Sequence, residues 1–154
     1  MRQDRQGFTL VELLTVIVMV GMLAGLCLGG FVRARQKSQN ATAQRYIAAY
    51  ATSARAAAVQ RGRRTTLHLS GATIWVTADS ASIDLPLRPP MDLGSQFGVA
   101  TSATLSDVTF DPRGFAPTVP AGGARFFVAP PRGGAVRDTV CVTSTGQVRT
   151  RGCA

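Results

Sequence analysis

The residues with the most chemical content lie near the two ends of the chain. Close to the start, the small residue Gly7 stands in front of an apolar run, and one carboxylate, Glu12, lies inside that run. A carboxylate in an apolar segment costs roughly 2.5–3.5 kcal/mol on insertion scales, so it normally has a partner and a function. In the first turns of a helix it also gains from the positive end of the helix dipole. The simpler reading puts Glu12 at the headgroup level of a plain single-pass anchor. Gly7 is the only small residue in a cleavage position, and it precedes the apolar stretch. An ordinary secretory signal has the reverse order and loses its apolar stretch on cleavage. Cutting after Gly7 instead removes the basic leader MRQDRQG and leaves the apolar helix on the mature chain.

Other chemistry is thin. His68 is distant from the cysteines, and two cysteines with one histidine make no metal site. As a lone histidine in a period-2 run, it reads as a sheet-surface residue. Asp79, Asp84, Asp92, Asp107 and Asp138 are scattered, and Asp111 belongs to a turn. There is no Ser/His/Asp arrangement, phosphate-cradling glycine motif or HExxH. The expectation is a non-enzymatic protein with no catalytic residue, metal or cofactor.

The segment Gly7-Phe8-Thr9-Leu10-Val11-Glu12-Leu13 resembles the prepilin motif of type IV pilins and type II secretion pseudopilins. The resemblance implies cleavage between Gly7 and Phe8 by a membrane prepilin peptidase and N-methylation of Phe8. It also implies that the subunit waits in the inner membrane until it joins other pilins or pseudopilins in a helical filament. Glu12 then has a second partner, the new α-amino group on Phe8 of a neighbouring subunit. At ~4 Å and an effective dielectric of ~20 their attraction is about 4 kcal/mol before desolvation.

These groups need elements to position them. From Leu13 to Val32 there is no charged residue, which matches the ~20 residues needed to cross a hydrocarbon core. The leader carries Arg2 and Arg5 against Asp4. That bias favours a cytoplasmic leader and an exported remainder. No proline interrupts from Phe8 to Gly62, although Gly21, Gly25, Gly29 and Gly30 could loosen the first half. From Ala43, the residues Tyr46, Ile47, Tyr50, Ala51, Ala54, Ala57 and Ala58 recur on one helical face, with Arg45, Thr52 and Arg55 off it. Gly62 reads as the C-cap.

After Gly62 the period changes to 2. Thr65–Ser70 and Thr73–Thr77 predict a hairpin about Gly71-Ala72. Ser82–Leu87 predicts a strand ended by Pro89-Pro90, and Phe97–Phe110 one or two more. Asp111-Pro112-Arg113-Gly114 suits a type I turn. Ala124–Ala129 is a strand with Phe126 and Val128 on one face, and Asp138–Thr143 with Gly146–Arg151 a closing hairpin. The predicted fold is α+β: a long N-terminal transmembrane and amphipathic helix packed on an antiparallel β-sheet domain. The divisions are leader 1–7, transmembrane half 8–32, amphipathic half 33–62 and periplasmic β-rich domain 63–154.

The order of parts, with the Phe-Asp-Pro-Arg-Gly turn and a terminal hairpin closed by cysteine, is similar to the type II secretion pseudopilin H and type IV minor pilin T family. Its fold is that of type IV pilins. Cys141 and Cys153 both fall in the exported domain, where an oxidising periplasm permits a disulfide. The dozen-residue loop is worth nearly 3 kcal/mol on the chain-entropy estimate. Cys153 lies beyond the position opposite Cys141, so a bulge or a crossing tail is needed. Cys27, in the membrane helix, reads as a small apolar residue.

The chain is basic, with 17 Lys and Arg against 8 Asp and Glu. A basic surface can mean nucleic acid, anionic lipid or an acidic protein partner, and net charge alone does not choose among them. The leading function is a minor subunit of a type II secretion pseudopilus or type IV pilus that supports filament initiation and protein secretion. The alternative is a minor pilin whose basic C-terminal hairpin binds DNA. Relatives that bind DNA carry Gly-Arg-x-Arg, and Gly146-Gln147-Val148-Arg149-Thr150-Arg151 departs from it at Gln147. On a strand, Arg149 and Arg151 would share a face and make a two-phosphate contact. The plainer reading is a charged, protected edge strand.

Overall fold

An apolar run without proline favours one continuous helix, and α1 spans Leu10–Arg61 without a break at any of its glycines. The computed structural model describes residues 9–80, 83–131, 137–150 and 153. It separates into two units, Met1–Gln36 and Lys37–Ala154, and α1 contributes to both. In the first unit, the apolar side chains of residues 10–23 are exposed, Leu10 at 81%. A window of 18 residues reaches a mean hydropathy of 2.4, so this helix is long and apolar enough to cross a membrane.

In the second unit, α1 ends as its last residues direct. Gly62 takes φ 61°, and the Arg63 N–H bonds back to the Ala58 carbonyl at 3.3 Å, a Schellman closure. Among the described residues, eight strands and one short helix follow. They are β1 Thr65–Ser70, β2 Thr73–Ser80, β3 Ile83–Asp92, α2 Leu93–Phe97, β4 Ala100–Ala103, β5 Asp107–Phe110, β6 Ala124–Ala129, β7 Asp138–Val142 and β8 Val148–Arg149. They form two antiparallel sheets of four strands, in the orders β3-β2-β1-β5 and β4-β6-β7-β8.

Small helix residues and large strand residues complement each other in the core. Ala43, Ile47, Tyr50, Ala51, Ala54 and Ala58 of α1 are buried. The bulk comes from the strands, chiefly Phe110 and Phe126, both fully buried and each worth about 1.5–3 kcal/mol of apolar transfer. One cluster joins the helix to residues of both sheets. Thr65, also fully buried, ties the start of β1 to the helix by donating its hydroxyl to the Ala54 carbonyl at 2.6 Å.

Three expectations need correction. β3 does not stop at Pro89-Pro90 but runs to Asp92. It is an edge strand, where proline's missing N–H costs no ladder bond. Its register with β2 shifts on both sides of Val76, so the prolines sit in a bulged stretch. There the Pro89 carbonyl accepts from the Tyr50 hydroxyl at 3.3 Å, and the Arg88 guanidinium lies 5.0 Å from the Tyr50 ring. Secondly, Phe97 belongs to α2, not to a strand. Asp92 caps that helix by accepting from the N–H groups of Gly94 and Ser95, and Gly98 closes it at φ 62°. Hydrogen bonds from Ser95 and then Gly94 hold the Asp92 carboxyl below its ordinary 3.8. Thirdly, Tyr46 is not in the core; it is 40% exposed and packs its ring 5.1 Å from Phe97.

Candidate functional site

Gly7 and Phe8, the predicted processing pair, lie outside the described residues. The helix that follows them begins with a capping arrangement. Thr9 accepts the Glu12 N–H on its Oγ1 at 3.3 Å, and its carbonyl accepts from the Leu13 N–H at 3.3 Å. Thr9 is therefore the N-cap, and Glu12 stands three residues later, where an acid complements both the free N–H groups and the dipole. Glu12 thus lies in the first turn of α1, on an exposed surface whose neighbours Leu10, Val11, Leu13 and Leu14 are all apolar. Such a group, once in lipid, is a charge awaiting a cation.

At the other end of the sequence, Cys141 and Cys153 are joined in a disulfide with Cα atoms 5.4 Å apart. The cross-strand partner of Cys141 is Arg149, not Cys153, as the sequence count implied. The final strand is shorter than expected, ending at Arg149. Arg151 lies outside the described residues. Arg149 is exposed, and its Nη2 donates to Gln147 Oε1 at 3.3 Å.

α1 is fastened at two points that sequence reasoning missed, once to the hairpin and once to the Asp111 turn. Gln44 donates through Nε2 to the carbonyls of Thr139 and Thr150 at 2.9 and 2.7 Å. Eleven residues later on the helix, Arg55 Nε donates to the Gly114 carbonyl at 3.0 Å. That carbonyl belongs to the Asp111 turn, closed by the Gly114 N–H to Asp111 O bond at 2.9 Å as the Asp-Pro-Arg-Gly reading requires. Between the fasteners runs a groove of about 370 Å³. Ala48, Thr52 and Arg55 form one wall, and Gly146 to Arg149 the other. The Thr52 hydroxyl donates to the Ala48 carbonyl. No single segment of sequence carries a signal for this groove, because its walls come from opposite ends of the domain.

His68 is on the sheet, as expected, but it has company. Its Nδ1 is 2.6 Å from Asp107 Oδ1, and its Nε2 is 2.9 Å from Thr77 Oγ1. Its ring stacks on Trp75 with centroids 5.0 Å apart. The scattered acids therefore hid a Thr–His–Asp chain, assembled by the β2-β1-β5 order that sets His68 between Trp75 and Asp107. Thr77 is only 8% exposed. The chain acts as a polar clasp across three strands.

Comparison with known proteins agrees with the geometry. The family model described as type II transport protein GspH matches residues 43–146, more than half of the chain. That of the prokaryotic N-terminal methylation motif matches residues 2–28. Among curated proteins none matches. The type IV minor pilin FimU of Pseudomonas aeruginosa superposes with a TM-score of 0.62 at 15% identity, covering 75% of this chain and 90% of that one. The minor pseudopilin EpsH of the Vibrio cholerae type 2 secretion system gives 0.60 at 9% identity, covering 74% and 97%. At such identities the likeness is one of fold: a long helix packed on antiparallel sheets.

Proposed function

Because the chain belongs to the GspH family of type II transport proteins and carries the N-terminal methylation motif, we propose that it is a minor subunit of a type II secretion pseudopilus or type IV pilus. The precursor is cut between Gly7 and Phe8 by a prepilin peptidase, and Phe8 is methylated. The apolar half of α1 holds the mature chain in the inner membrane, with the sheet domain on the periplasmic side. Other pilins or pseudopilins are its assembly partners. The family is one of structural subunits, and the protein works by its shape and its contacts.

The observation that carries this reading is Glu12, fixed in the first turn of an apolar helix by the Thr9 cap. The α-amino group of Phe8 on an incoming or neighbouring subunit supplies the cation it lacks. The attraction of about 4 kcal/mol at ~4 Å and an effective dielectric of ~20 exceeds the roughly 2.5–3.5 kcal/mol insertion cost. Glu12→Ala should be inserted and cleaved normally but be depleted from sheared filament fractions, measured by immunoblot against the membrane pool. Normal incorporation would show the carboxylate to be incidental. Nothing in the comparisons favours the DNA-binding alternative.

A further inference from the structure

After Glu12 the next acidic residue in the chain is Asp79, and eight Lys and Arg residues stand between them. The first two, Arg33 and Arg35, follow directly on the uncharged run from Leu13 to Val32. Both lie in α1, and both are exposed. Among the described residues neither has an ion-pair or hydrogen-bond partner for its side chain. Glu12, the acid nearest to Arg33 in sequence, is about 30 Å away along the helix at 1.5 Å per residue. That is several times the ~8 Å over which exposed charges stay coupled in physiological salt. We propose that Arg33 and Arg35 bind the phosphates of anionic phospholipids in the leaflet where α1 leaves the membrane. The assignment rests on the membrane anchoring proposed above; the absence of a partner for either cation does not.

Depth, arrangement and charge favour lipid as the occupant. The uncharged run makes about 30 Å of helix, the thickness of a hydrocarbon core. The two guanidinium groups then enter the headgroup layer, and their long stems let them reach phosphate from just inside it. Residues two apart on a helix lie about 200° apart around its axis. A neighbouring subunit approaches from one side and meets one of the pair, whereas lipids surround the helix and meet both. Each arginine therefore takes its own phosphate through paired N–H donors. Chain orientation does not account for these cations. On the exported side they run against the bias that leaves such flanks poor in Lys and Arg. Their effect is to hold the mature subunit in the membrane between processing and assembly, because extraction has to break both contacts.

The test uses the full-length chain in detergent micelles with equal amounts of dioleoylphosphatidylglycerol and dioleoylphosphatidylcholine. Native mass spectrometry counts each lipid on the protein. The unaltered chain should carry the anionic lipid about fivefold over the zwitterionic one, the effect of one cation near an anionic headgroup. Arg33→Gln with Arg35→Gln should bring that ratio below twofold, and each single variant should remove one bound anionic lipid. Lys37, the next cation in sequence, is kept in every variant. The control is Arg61→Gln with Arg64→Gln, at the last residue of α1 and just beyond it. It loses the same charge and should leave the ratio unchanged. An equal fall in the control would mean diffuse attraction by net charge and would overturn the proposal. So would loss of the preference when ammonium phosphate replaces ammonium acetate at equal ionic strength, which would assign the arginines to free phosphate. A double variant that keeps the ratio but is depleted from sheared filaments would assign them to a neighbouring subunit instead. Flotation of the reconstituted chain with its vesicles scores the anchor separately. A chain that floats without lipid preference overturns this proposal alone, and one that does not float overturns the anchor reading as well.

Discussion

Replacing Gly146 by alanine probes the contact that closes the hairpin onto the Asp111 turn. Gly146 has φ 75°, where an L-residue costs roughly 1–2 kcal/mol. A Cβ there would lie 3.1 Å from the Gly114 carbonyl carbon and 3.2 Å from Arg55 Nε, with the Gly114 oxygen closer still. The obstacle is backbone held by its own hydrogen bonds, so relief means moving the turn, and overpacking of this kind costs about 1–3 kcal/mol. The expected total is about 2–5 kcal/mol. For a chain of this size that lowers Tm by roughly 10 °C, at about 2–4 °C per kcal/mol. Gly71→Ala is the matched control, with φ 57° and nothing within 4 Å of the added Cβ. It bears only the backbone term, and the unfolded-chain entropy change is common to both variants. Thermal unfolding followed by the fluorescence of Trp75, the single tryptophan, reads both. Gly146→Ala should melt several degrees below Gly71→Ala. Equal Tm values would refute the steric argument.

Further outcomes follow from the same structure. A bulky residue in place of Gly7 should leave the full-length precursor in the membrane, and mass spectrometry finding a mature chain that starts at Phe8 would contradict the processing reading. Thiol labelling of the denatured, unreduced protein should modify Cys27 alone. Replacing Cys141 and Cys153 together by serine should cost about 3 kcal/mol of stability, as expected for a loop of this length. The lowered Asp92 carboxyl contributes stability that is present above the unfolded value near 3.8 and is lost as pH falls through the lower folded value. Asp92→Asn keeps the cap but removes the titration, so its acid-unfolding limb should be shallower than that of the unaltered chain; superimposable limbs would rule this out.

Features that depend on near neighbours were legible before any fold was known. The apolar run, the Gly7–Glu12 spacing and the Gly62 cap are all local, because a helix is set by residues within a few turns of one another. The same holds for the β1–β2 hairpin about Gly71-Ala72 and for β6, whose alternation put Phe126 and Val128 inward. Cys153 could be seen to overshoot Cys141, since hairpin register follows from counting. What remained hidden depended on which segments become neighbours. Pro89 and Pro90 look like a strand end until β3 is known to be an edge. Tyr46 looks like core until the sheets show where their cover stops. The five residues of α2 are too few to reveal a period. His68, Thr77 and Asp107 are separated by 9 and 39 residues, and only the β2-β1-β5 order makes them adjacent. Arg55 fell on the exposed side of the helical pattern. It became a wall of the groove because Gly114 and Gly146, without side chains, let two distant turns come down beside it. Pattern along a chain records burial and local geometry; contact between remote segments is decided by how helix and sheets pack.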